Sequence, residues 1–175
     1  MAKKLVFVID MQNDFISGSL GTPEARAILP RVVARLEREL AEGATLIFTR
    51  DTHYEDYLNT QEGKNLPVPH CVKGTPGHEL ARELLPFASG ALVVDKPAFG
   101  SAALPRLVEP LVKEDTQFLF LGLCTDICVI SNALLLKAHY PENTMAVAAD
   151  CCAGVTPQSH QAALTAMGMC QISML

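Results

Sequence analysis

The chain has 175 residues, of which 49% are hydrophobic and 19% charged, and a formal net charge of −5. That balance excludes a disordered chain, favours a sheet buried on both faces, and leaves no basic footprint for nucleic acid. The apolar run in MAKKLVFVID is too short for a secretory leader or a membrane span, and six cysteines without a targeting signal fit free thiols in the cytoplasm.

In chain order, Leu5 to Ile9 reads as a buried parallel strand ending in Asp10. A polar loop follows, then a helix from about Pro23 to Glu42 with Ile28, Val32, Leu36 and Leu40 on one face, closed by Gly43. Ala44 to Thr49 is a second strand, running into Arg50 and Asp51. Residues 52–77 form a long irregular stretch, of the kind that is normally functional in a compact domain. A short helix is expected near His78 to Leu85, a strand at Ala91 to Asp95, and a helix over about Ser101 to Lys113, bent at its prolines. Phe118 to Leu121 is a fourth strand. It breaks at Gly122 and re-emerges after Thr125 and Asp126 as an apolar helix reaching Ala138, with Asp126 suited to the N-cap. Thr144 to Ala149, a helix over Pro157 to Met167 and a last strand at Cys170 to Met174 complete the alternation.

Strand-helix alternation predicts one α/β domain over residues 1–175. Its architecture is a three-layer sandwich with a central parallel six-stranded sheet between helices, Rossmann-like. Ligands in such folds bind beyond the carboxyl ends of the strands. Those ends carry Asp10, Asp51, Lys96 and the turn from Cys124 to Cys128. Each has a bland reading: a loop cap, a snorkelling lysine, a core cysteine. Together, a carboxylate, an ammonium and a thiol have a use. The first takes the thiol proton, the second balances the charge, and the sulfur attacks a carbonyl carbon. A helix N-terminus would favour the thiolate of Cys128. Asp51 and His53, two apart in an extended segment, point to one side. Glu62 and His70 follow in the loop, and such a donor set suits zinc, iron or manganese.

FVIDMQNDF, DTH, PHCVKGTPG, VDKPAFGSA and GLCTDICV, in that order over nearly the whole chain, resemble the isochorismatase-like cysteine hydrolases, the family that includes nicotinamidases. The resemblance implies a catalytic triad of Asp10, Lys96 and Cys128. It further implies a non-proline cis peptide between Cys124 and Thr125, and an oxyanion hole from the N–H groups of Cys124 and Cys128. It implies one divalent metal, zinc first, on Asp51, His53, Glu62 and His70, holding a pyridine nitrogen and ordered water, and no organic cofactor. The implied reaction is hydrolysis of a small carboxamide, nicotinamide foremost, through a thioester on Cys128.

The chain departs from nicotinamidases at LPVPHC, where an aromatic residue is usual before the prolines. With no Trp in the chain, Phe15 and Phe99 are the candidate ring-stacking walls. His78, His139 and His160 are expected at the surface or at helix caps. The alternatives are an isochorismatase-type or another small-amide or ureido hydrolase, and, from another class, a non-catalytic metal- or partner-binding scaffold. The expected partner is a small-molecule amide, with neither nucleic acid nor membrane, and the chain is expected to form a homo-oligomer, a dimer or larger.

Overall fold

The structure, a computed structural model, describes residues 3–175. Strand β1 (Lys4–Ile9) leads through a single helical turn at Asn13–Ile16 into helix α1 (Pro23–Ala41) and strand β2 (Thr45–Asp51). The long loop holds a short helix α2 (Gln61–Asn65), after which come β3 (Leu92–Lys96), α3 (Leu104–Val108) and β4 (Gln117–Leu123). A π-helical turn at Thr125–Val129 runs directly into α4 (Ile130–His139), followed by β5 (Met145–Ala153), α5 (Pro157–Met169) and β6 (Ser173–Met174).

All six strands are parallel, in the order β3-β2-β1-β4-β5-β6. The chain winds outward from β1 to one edge and from β4 to the other, so the strand order reverses between β1 and β4. In such sheets the carboxyl ends at this reversal are where ligands bind. Every residue from Leu5 to Ile9 is fully buried, as a strand covered on both sides demands. Phe7 stacks on Phe120 with ring centroids 5.0 Å apart and meets Phe118 at 5.5 Å, tying the two central strands together. Gly122 pairs with Ile9 and has φ 119°, and a Cβ there would collide with the Ile9 carbonyl. Only glycine lets β4 bend this close to the point where β1 delivers Asp10.

Several elements differ from the expectation. The helix expected over Ser101 to Lys113 is α3 plus a 3-10 turn at Glu109–Leu111, because Pro110 has no N–H to continue the ladder. The helix expected at His78 to Leu85 starts later, as turns at Arg82–Leu84 and Leu85–Ala88. β5 runs on through Cys151 and Cys152, both buried, while the last strand shrinks to two residues beyond a turn in which Gln171 has φ 65°. Asp126 does not cap its helix; its carboxylate accepts from the Val155 N–H at 3.1 Å.

Candidate functional site

The site begins with the last residue out of β1. Asp10 adopts φ 47° and is fully buried. Its Oδ1 accepts from the Thr49 hydroxyl at 2.6 Å, on the neighbouring strand. Lys96 starts from the edge strand β3, two strands away, a span of about 10 Å. Its side chain crosses the end of β2 and is itself fully buried. There Nζ ion-pairs with Asp10 Oδ2 at 2.6 Å and donates to Asp51 Oδ1 at 3.1 Å and the Ala98 carbonyl at 3.1 Å. The same Nζ stands 3.4 Å from Cys128 Sγ. The acid, amine and thiol read from three separate strand ends thus meet at one buried ammonium.

Burial pushes the Asp10 carboxyl up against the pull of Lys96. For Lys96, burial lowers and the charges of Asp10, Cys128 and Asp51 raise, with the ammonium form winning. Burial also drives the Cys128 thiol well above its ordinary value, reinforced by Asp10 and opposed by Lys96. Desolvation of Cys128, a residue 4% exposed, thus opposes the helix-terminal field on its thiol. Asp10 Oδ2 has Lys96 Nζ at 2.6 Å as its charged partner, off the line of a well-aligned hydrogen bond.

Beside this cluster, Asp51, His53, Glu62 and His70 offer four ligand atoms that all lie within 4.8 Å of one another. His53 Nε2 is 2.9 Å from Asp51 Oδ2 and 3.5 Å from Glu62 Oε1. His70 Nε2 is 3.5 and 3.6 Å from the same two oxygens. For ligand bonds of 2.0–2.1 Å, tetrahedral donors lie about 3.3 Å apart, so two nitrogens and two oxygens at this spacing fit a zinc-sized cation. His70 Nδ1 faces the Val68 carbonyl at 2.8 Å, which turns Nε2 inward. Burial lowers both imidazoles, but Asp51 and Glu62 overcome it and raise each to about 9. Glu62 is held down to about 2 by the two histidines despite burial. Asp51 belongs to both clusters: Oδ1 faces Lys96 and Oδ2 faces His53.

The turn after β4 holds one surprise. The non-proline cis peptide joins Leu123 to Cys124, one bond earlier than expected. The Cys124 carbonyl accepts from Ile127 N at 3.1 Å and Val129 N at 3.0 Å, which commits Cys124 and Thr125 to the turn instead. Phe15 is buried and meets the His70 ring edge-on at 5.5 Å, while Phe99 is half exposed. His139 is exposed as expected. His78 is not at the surface; it is buried with Nε2 2.9 Å from the Thr52 hydroxyl. His160 is half-buried, its Nδ1 2.8 Å from the Thr125 hydroxyl.

Three supporting residues escaped the sequence reading. Gln12, fully buried, accepts from Asp51 N at 2.7 Å and donates to Asp51 O at 2.8 Å, fixing that carboxylate's backbone from both sides. Tyr57 packs edge-on against His53 and His70 at 4.7 and 5.1 Å. Asn132 bridges the Cys128 helix to the loop after Lys96. None of the three left a distinct signal; Gln12 opens a polar loop and reads there like its neighbours Asn13 and Asp14.

A six-stranded parallel sheet between helices, with its ionisable cluster at the switch point, is the three-layer fold shared with isochorismatase-like hydrolases. Residues 4–174 match the isochorismatase domain model, and the chain belongs to the isochorismatase family. It is 30% identical over 142 residues to an uncharacterised isochorismatase family protein of Bacillus subtilis, covering 75% of this chain and 77% of that protein. The fold superposes on the nicotinamidase/pyrazinamidase PncA from Bacillus subtilis with TM-score 0.83 at 26% identity, covering 99% of each chain. It also superposes on the pyrazinamidase of Pyrococcus horikoshii in complex with zinc, with TM-score 0.79 at 26% identity and 98% of each chain covered. Among the described residues, no helix is long and apolar enough to cross a membrane.

Proposed function

We propose that this protein is a metal-containing cysteine amidohydrolase that cleaves a small carboxamide, nicotinamide to nicotinate and ammonia. One observation carries the reading: a single buried ammonium, Lys96 Nζ, contacts both Asp10 Oδ2 at 2.6 Å and Cys128 Sγ at 3.4 Å. A thiol that is to attack a carbonyl needs a base beside it, and Asp10, on the same ammonium as Cys128, takes that role. As the sulfur bonds to the amide carbon, the proton moves to Asp10 and the carbonyl oxygen takes the negative charge. The N–H groups of Cys124 and Cys128 receive that oxyanion, their neighbours Ile127 and Val129 being occupied with the Cys124 carbonyl. Asp10 passes its proton to the departing nitrogen, which leaves as ammonia, and a thioester remains. Asp10 then takes a proton from water, the hydroxyl adds to the acyl carbon, and the returning proton regenerates the thiol as nicotinate leaves. Lys96 keeps Asp10 charged between these transfers and offsets the charge on sulfur.

Asp51, His53, Glu62 and His70 hold one divalent metal, zinc first with iron or manganese as alternatives. When bound, the metal supplies a Lewis-acid centre for a heteroatom of the substrate. Phe15, against His70, and Phe99 form the walls for the pyridine ring. The chain is read as one hydrolase domain that assembles with copies of itself, which light scattering checks. The deciding experiment measures ammonia release from nicotinamide and pyrazinamide by protein of known metal content, with mass spectrometry for an acyl group on Cys128. Release with an adduct on Cys128 is expected. No release from either amide, with another carboxamide or ureido compound cleaved, removes the nicotinamide assignment. No adduct and no cleavage of any amide favours the non-catalytic scaffold.

A further inference from the structure

Asn132 sits four residues after Cys128 on the inner face of α4 and is fully buried. Its Nδ2 donates to the Cys128 carbonyl at 2.7 Å and to the Phe99 carbonyl at 3.0 Å, and its Oδ1 accepts from Ser101 N at 2.9 Å. Two carbonyls and one N–H allow a single orientation of the amide, so all three contacts stand together. The loop they hold leaves β3 at Lys96, whose ammonium already grips the Ala98 carbonyl at 3.1 Å. Residues 98, 99 and 101 are therefore each pinned by a buried side chain, while the ring of Phe99 between them is 45% exposed. Gly100 lies against Ser131, where a Cβ would come within 3.4 Å, so the loop rests flat on the helix. A rigid backbone beneath an exposed aromatic ring, tied through Asn132 to the Cys128 carbonyl, is a way to set the ring's position without touching substrate.

We propose that Asn132 is a positioning residue for substrate selection. Its amide fixes the Phe99 backbone relative to Cys128, and through Phe99 it sets the preference for ligands that carry a planar aromatic ring over those that do not. The inference rests on Cys128 as nucleophile and Phe99 as a substrate wall, but not on nicotinamide as the substrate.

The test uses two electrophiles, chloroacetanilide and chloroacetamide, which differ by an aromatic ring. In each case Sγ displaces chloride and the thiol proton passes to Asp10. Rates of modification at Cys128 are followed by peptide mass mapping, which separates it from the exposed Cys170. The readout is the ratio of the anilide rate to the acetamide rate. Asn132→Ser retains a hydroxyl able to reach back to the Cys128 carbonyl, as serine does to the residue four before it, and loses both loop contacts. It should lower the ratio about fivefold. Asn132→Ala, which removes the amide without setting a charge against the two carbonyls it served, should act in the same direction and serves if the serine variant fails to fold. Phe99→Ala should lower the ratio as well, and Asn132→Ser should then change it no further. An unchanged ratio in a folded Asn132 variant overturns the proposal, as do additive effects of the two substitutions. Equal slowing of both reagents assigns Asn132 to the nucleophile instead and also overturns it. A shifted ratio in a protein that releases no ammonia from nicotinamide upholds the positioning role while the substrate assignment falls. Failure of the anilide alone to modify Cys128 in the unsubstituted protein overturns this proposal, and failure of both reagents overturns the nucleophile reading with it.

Discussion

The two ends of β1 each bury a carboxylate beside a lysine, and they do opposite things with it. At the start of the strand, Glu39 from α1 is 1% exposed and receives Lys4 Nζ on Oε2 at 2.6 Å and Arg35 Nε on Oε1 at 2.7 Å. Both its oxygens are matched. Burial works to raise Glu39, but Lys4 and Arg35 win and hold it below the usual range. At the far end, Asp10 has one oxygen on Thr49 and the other on Lys96 without an aligned hydrogen bond, and burial leaves its carboxyl raised. Lys4 remains partly in solvent, whereas Lys96 is wholly enclosed and divides its three protons among four neighbours. A fully matched buried carboxylate stabilises the fold; an undermatched one retains a proton affinity that chemistry can use.

Breaking the reactive end should have the largest effect. Asp10→Asn should lower ammonia release by about 10⁴-fold or more, with melting little changed, because the base is lost and the shape kept. Activity within tenfold of the unsubstituted protein would assign the base elsewhere. Asp51→Asn comes next, since this residue touches both Lys96 and the histidines. It should weaken metal affinity about 10- to 100-fold, read by titration with a chromophoric chelator, and reduce kcat/KM by at least as much. A loss of metal with kcat/KM intact would detach the quartet from the reaction.

At the structural end the effect should fall on stability alone. Glu39→Gln should cost about 1–2 kcal/mol, a Tm drop of about 2–8 °C for a chain of this size, with kcat/KM within twofold. A fall in turnover without a fall in Tm would erase the contrast between the two ends. The smallest effect is in the pH dependence. The folded protein holds Glu39 below the usual value of 4.5, so its contribution is complete above that pH and is lost as pH falls through the lowered folded value. The Tm difference between the unsubstituted protein and Glu39→Gln should therefore close as melts are taken from pH 6 towards pH 3. A gap that stays constant or widens would mean the pair is not what Glu39 contributes.

Much of the sheet could be read from residues because its signals are local. Leu5 to Ile9 and the β4 run are uninterrupted apolar stretches, and Pro23 and Gly43 mark helix ends by their own backbone chemistry. The cap of α5 is a finding of the structure: Thr156 accepts from Ser159 N at 3.0 Å. Asp10, Lys96 and Cys128 stood out because each follows an apolar strand at a known end of a parallel sheet. His78 and Glu39 did not, since a polar residue in a polar stretch looks exposed until distant partners are known. His78 finds Thr52, and Glu39 finds Lys4, 35 residues away.

Composition and alternation alone determined an α/β chain with a parallel sheet and which polar residues stand at its strand ends, because strand period and helix capping act over a few residues. Tertiary structure alone decided that β3 lies two strands from β1, so that an edge-strand lysine must cross Asp51 to reach Asp10. It also decided that Cys128 is buried with its sulfur 3.4 Å from the Lys96 ammonium, and that Gln12 and Asn132 brace the site. Those outcomes depend on desolvation and on contacts between segments tens of residues apart, and neither is written in any single stretch of the chain.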